Sequence, residues 1–150
     1  MAPDFRKLQH RLLTNWKTIP IEVAPLAAHR VQHRLHELGS SDPQVREHHL
    51  VKTGPVKTDQ DFFIIDAKFP QLLTASDVEE GKDGSGKDGV WEVEALAKEI
   101  KAIQGVLEVG LFCGKNGPDA AAAGVVGGMK PIAAYFGMED GSVELRTAKQ

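Results

Sequence analysis

Apolar and polar positions divide this chain into a short series of elements. Phe62-Phe63-Ile64-Ile65 is an unbroken apolar run of aromatic and β-branched residues, which predicts a central strand buried on both faces. Gly54-Pro55-Val56-Lys57-Thr58 before it has strand-like composition, and Asp59-Gln60-Asp61 supplies the polar turn of a hairpin. Upstream, Ile19, Ile21 and Val23 alternate with Pro20 and Glu22, the pattern of a half-buried strand. Pro25 suits the start of a helix over residues 26–38, where Ala27, Val31, Leu35 and Leu38 form one apolar face and Gly39 stops it. Residues 40–47 read as a polar connection carrying the turn signal Asp42-Pro43.

After Phe69-Pro70 the charged, glycine-rich residues 74–89 read as a flexible surface loop. The strongest helix pattern covers residues 90–103, with Val93, Leu96, Ala97, Ile100 and Ile103 as its buried stripe and Gly105 as its stop. Glu92 and Glu94 near its start and Lys98 and Lys101 near its end match the helix dipole. Residues 106–112 form the next strand. Residues 113–131 are a Gly/Ala-rich loop, and residues 132–137 and 142–147 flank Asp140-Gly141 as a closing hairpin. From residue 18 to 112 the order is strand, helix, strand, strand, helix, strand. That order predicts an α+β fold of the ferredoxin-like, split βαβ kind, followed by a C-terminal β-hairpin.

Composition narrows the functional classes. With 150 residues, 41% apolar and 26% charged, the chain fits one domain with appendages. A net charge of −3 offers no basic face for nucleic acid and no polybasic membrane signal. Cys113 is the single cysteine, so no intramolecular disulfide forms and a reducing compartment is the easier reading. No apolar run approaches a bilayer span, and the first residues lack the apolar stretch of a signal peptide. A cytoplasmic protein is expected.

Several patterns invite chemistry and then fail on spacing. His29, His33 and His36 share one helix at metal-like offsets, but Arg30 and Arg34 crowd them and no carboxylate completes a motif such as HExxH, so they read as a solvated face. His48-His49 is a weaker signal. Gly86-Lys87 is followed by Asp88 rather than the Ser or Thr of a phosphate loop. The glycines at 124, 127 and 128 do not make a GxGxxG turn. Cys113 ends a strand with no motif partner to activate it.

Four blocks, in order, carry a resemblance. They are Asp4-Phe5-Arg6-Lys7 with residues 15–23 (NWKTIPIEV), then GPVKTD followed by FFIIDAKF, then residues 100–112 (IKAIQGVLEVGLF), then residues 134–143 (AYFGMEDGSV). Together they resemble the later part of type A ribose-5-phosphate isomerases in their fungal and other eukaryotic form, where the second domain is ferredoxin-like.

The resemblance implies a ketol-isomerase of the non-oxidative pentose phosphate pathway. It would interconvert ribose 5-phosphate and ribulose 5-phosphate through an enediolate, without metal or other cofactor. Such chemistry needs a carboxylate base, groups that steady the oxyanion, and a phosphate anchor. The family draws these largely from a preceding domain, with a Thr-Gly-Ser-Thr-like loop, an Asp-Gly-Ala-Asp-Glu motif and a Lys-Gly-Gly-Gly stretch; these 150 residues contain none of them. The lysine of the Asp-x-x-Lys block carries over as Lys7, a substrate-binding point charge. No residue carries over as catalytic.

The implied organisation is a lead-in over residues 1–17 belonging to a missing catalytic domain, the α+β domain over 18–112, the loop over 113–131 and the hairpin over 132–147. Sugar-phosphate binding would need the missing N-terminal domain, and the family's habit implies a homo-oligomer. The chain alone would be inactive. A different class, a non-catalytic ferredoxin-like module that binds or regulates a partner, stands as the alternative. Were the chain to turn over substrate by itself, Asp59, Asp61, Asp66 and Glu108 would be the carboxylates to test.

Overall fold

The structure is a computed structural model that describes residues 4–48 and 54–148. His49 and residues 1–3 of the lead-in lie outside the described residues. The chain separates into two compact units, residues 17–111 and a second made of residues 1–16 with 112–150. Both combine helix and strand, and the pairs of named strands among the described residues are antiparallel.

The larger unit is a four-stranded sheet with helices. Its elements are β1 (Thr18–Val23), α1 (Ala28–Glu37), β2 (Gln44–Val45), β3 (Phe63–Lys68), α2 (Ala75–Glu79), α3 (Val93–Lys101) and β4 (Val106–Val109), and the strand order is β2-β3-β1-β4. In β1 burial alternates residue by residue, as period-2 side chains require, so Ile19, Ile21 and Val23 enter the core while Thr18, Pro20 and Glu22 are half-buried. Ile65 and Ala67 of β3 join them, with Val31 and Leu35 from α1 and Leu96 and Ile100 from α3. Helix α1 packs on β3 and α3 on β4.

β3 is central, as its apolar run predicts, although only one of its faces is fully buried; Phe63 and Ile64 are half-buried. Its outer neighbour differs from the expected hairpin. Lys57 bridges Phe63, Arg46 N–H donates to the Ile64 carbonyl at 2.7 Å, and Gln44–Val45 pairs with Ile65 and Asp66. The border of β3 is therefore assembled from two segments, and the residues expected to be a polar connection supply its only named strand on that side. Pro55 itself pairs with Glu47 rather than with β3, and Val56 N–H donates to the Arg46 carbonyl at 2.8 Å. The turn itself is present: Asp61 N–H donates to the Thr58 carbonyl at 2.9 Å, and Asp61 adopts φ 63.

Residues 74–89 are more ordered than a flexible loop. Thr74 and Asp77 form a capping box at the start of α2, and the Asp77 carboxylate, 3% exposed, also accepts from Lys82 Nζ at 2.5 Å. Farther on, Ser85 bridges Trp91. Gly86 (φ +81) lies flat against the indole, and a Cβ there would sit 2.1 Å from the ring. The ring cannot give way easily, since it is buried and its N–H donates to the Leu38 carbonyl at 2.8 Å.

The smaller unit holds a 3-10 turn (Phe5–Lys7), α4 (Gly117–Ala122) and the hairpin β5 (Ala133–Gly137) with β6 (Val143–Thr147). Within the Gly/Ala-rich stretch, Asn116 caps α4 by accepting from Asp119 N–H at 2.8 Å, and Pro118 occupies the first turn, where a missing N–H costs nothing. The hairpin has the expected strands and Asp-Gly turn, with Gly141 at φ 83. Asp4 forms a parallel bridge with Gly137, the last residue of β5.

Candidate functional site

Lys7, the one residue that the sequence nominates for substrate binding, ends the 3-10 turn in the smaller unit. Asp4 builds that turn: its carboxylate accepts from Arg6 N–H at 2.9 Å and grips the Arg6 guanidinium through two nitrogens, at 3.0 and 2.6 Å. The Arg6 side chain, and then its backbone N–H, hold the Asp4 carboxyl down at about 2. Arg6 is thus occupied by Asp4, and Lys7 projects into solvent beside it.

A loop then returns the chain over Lys7. Gln9 Oε1 accepts from Asn15 N–H at 3.1 Å and lies 3.0 Å from the Thr14 hydroxyl. Between these contacts Leu13 is buried in the left-handed region at φ 67, a conformation that costs a leucine free energy and needs local contacts to hold it. The loop sets the Trp16 ring under Lys7, with Nζ 5.6 Å from the ring centroid. Within about 6 Å such an ammonium is attracted to the face of the indole. The arrangement can hold an anion. It contains no group placed to abstract a proton.

The other carboxylates that sequence singled out stand apart in the larger unit. Asp66 is held by Arg46 at 2.7 and 2.6 Å, and Asp61 pairs with Lys57 at 3.2 Å on the turn. Glu108 is drawn below its ordinary value, chiefly by the Val109 N–H, and pairs with Lys101 at 3.1 Å. Asp59 is exposed. The histidines at 29, 33 and 36 are exposed along α1, with His33 3.4 Å from Glu37, and no group of three possible metal ligands occurs among the described residues. Lys87 sits on the exposed turn that follows Gly86. Two concavities, of about 540 Å³ beside α2 and about 740 Å³ beside α4, take in none of these candidates.

Comparison with known proteins identifies the frame in which Lys7 sits. The family model for ribose 5-phosphate isomerase A (phosphoriboisomerase A) matches residues 2–125. The chain belongs to the ribose 5-phosphate isomerase A family. Ribose-5-phosphate isomerase from Mycosarcoma maydis is 38% identical over 149 residues, which are 99% of this chain and 41% of that protein. The Schizosaccharomyces pombe ribose-5-phosphate isomerase is 35% identical over 149 residues, 99% of this chain and 42% of its own. The solved ribose 5-phosphate isomerase A of Methanocaldococcus jannaschii aligns with a TM-score of 0.66 and 26% identity, covering 98% of this chain and 48% of that one. A ribose-5-phosphate isomerase in complex with phospho-erythronic acid aligns at 0.65 and 26%, covering 97% and 47%. This family member therefore spans less than half the length of the relatives it matches. No helix among its described residues is long and apolar enough to cross a membrane.

Proposed function

We infer that this chain is part of a ribose-5-phosphate isomerase and contributes Lys7 to the binding of the sugar phosphate. The observation that carries the reading is the 38% identity across 149 residues that amount to 41% of the Mycosarcoma maydis enzyme. Isomerisation moves a proton between C1 and C2 of an open-chain sugar phosphate, so a base must face the carbons while cations and donors balance the enediolate and the phosphate. Lys7 suits the second task, as an exposed ammonium beside an arginine already committed to Asp4. The base and the remaining anion contacts come from residues beyond these 150.

The same reading extends to organisation. The sheet order β2-β3-β1-β4 with one helix after β1 and another before β4 supports a ferredoxin-like, split βαβ domain over residues 18–112. The lead-in over residues 1–17 and the hairpin over 132–147 join the catalytic portion, and the assembled protein is a cytoplasmic homo-oligomer.

The test is a ketol-isomerase assay with ribose 5-phosphate, run on the purified chain alone and mixed with the remaining portion of a full-length relative. The expected result is no turnover alone, and turnover in the mixture that drops at least tenfold with Lys7→Ala. Turnover by the chain alone that survives repurification would overturn the division of labour, and Asp59, Asp61, Asp66 and Glu108 would then be replaced one at a time.

A further inference from the structure

We propose that Trp16 is a positioning residue for Lys7, holding the ammonium where an anionic ligand meets it. The inference rests on the reading of Lys7 as a sugar-phosphate contact. A lysine reaches its ligand on a flexible four-carbon stem, and fixing that stem on binding costs side-chain entropy. The Trp16 ring meets that cost in advance. It holds Nζ 5.6 Å from its centroid while Lys7 stays exposed.

Three features indicate that the loop is built for this. Gln9 Oε1 ties its far end through Asn15 N–H at 3.1 Å, one residue before the ring. Leu13 keeps a left-handed backbone at φ 67, which a leucine does not adopt without compensation, and is buried. Trp16 itself is 59% exposed, so the indole fills no core among the described residues. Among the described residues the contact that the indole face makes is with the Lys7 ammonium.

The experiment uses the full chain carrying tryptophan or a mono-, di- or tetrafluorotryptophan at position 16, mixed with the remaining portion of a full-length relative, with ribose 5-phosphate and inorganic phosphate as probes. Fluorination drains the negative face of the ring while hardly changing its shape. The Lys7 Hε resonances are expected upfield in the native chain, moving towards ordinary lysine values as fluorines are added. Ribose 5-phosphate affinity, read from the shift of the same resonances, is expected to fall stepwise by about two- to fivefold in total. Trp16→Leu gives the full loss and Trp16→Phe a partial one, with unchanged thermal melts serving as the folding check. Lys7 resonances or affinities that ignore fluorination would overturn the inference, because a packing role alone would be insensitive to it. Lys7→Met is the separate arm. If it leaves ribose 5-phosphate binding by the mixture unchanged, or if native Lys7 in the mixture gives no response to that ligand, the reading of Lys7 as a substrate contact fails instead.

Discussion

Asp4 illustrates how much a single side chain organises at this site. Its carboxylate caps the turn, neutralises Arg6 and so leaves Lys7 to face incoming anions. Because the Arg6 guanidinium holds its carboxyl at about 2, below the ordinary aspartate value, the ionised form is favoured in the folded chain. Its contribution is complete above the ordinary carboxylate range and is lost as pH falls from about 4 through about 2. Carboxyl-detected NMR titration should give a midpoint near 2, rising towards the ordinary aspartate value in Arg6→Ala. An unchanged midpoint would mean that the grip of Arg6 is not what holds it. None of this geometry can be read from the sequence, since Asp-x-x-Lys specifies a spacing but not the return of residues 9–16. What Trp16 covers depends on a left-handed Leu13 that no local pattern announces.

At the scale of elements, apolar periodicity was a good guide wherever the backbone's own hydrogen bonds did not intervene. The stripe of α3 was legible, but the helix starts at Val93 rather than Val90. The intervening backbone is used in pairing with Leu73, whose N–H donates to the Trp91 carbonyl at 2.8 Å and whose carbonyl accepts from Val93 N–H at 3.1 Å, and Glu92 caps the helix. Likewise β4 stops at Val109 rather than Phe112. Gly110 N–H donates to the Pro20 carbonyl at 2.8 Å, and a proline cannot return the second bond that an antiparallel pair exchanges. The capping box at Thr74 and Asp77 was legible as a Thr-x-x-Asp pattern, and was masked by the glycines and charges around it. Burial sets the energetic ranking. Ile65 on β3 has no exposed surface, whereas Leu26 is fully exposed. Ile65→Ala should therefore cost about 2–5 kcal/mol in urea unfolding, and Leu26→Ala less than about 0.5 kcal/mol. Similar values for the two would place the core elsewhere.

Over the whole molecule, the larger unit closes a core around a sheet with helices, while the smaller unit leaves its hairpin open. Tyr135, Val143 and Leu145 are each more than half exposed on two strands that pair only with one another among the named strands. A hairpin alone is marginal in water. This asymmetry fits the proposal that the hairpin joins the catalytic portion. The two-unit division was not, since it depends on residues 1–16 and 112–150 meeting across the chain.

The brevity of β2 governs how the protein should fail. A border strand of two residues, continued by a separate segment with Pro55, gives a neighbouring chain almost no row of unpaired amides to copy. The five-residue strands of the hairpin offer a longer and stickier row. Fibrils or amorphous aggregates grown by mild heating should accordingly keep residues 133–147 in their protease-resistant core, as mass spectrometry of the digest would reveal. Cores containing residues 63–68 instead would mean that the border of β3 is poorly guarded. The β2 border of the larger unit is thus protected from misassembly by its irregularity, whereas the hairpin has no such guard among the described residues.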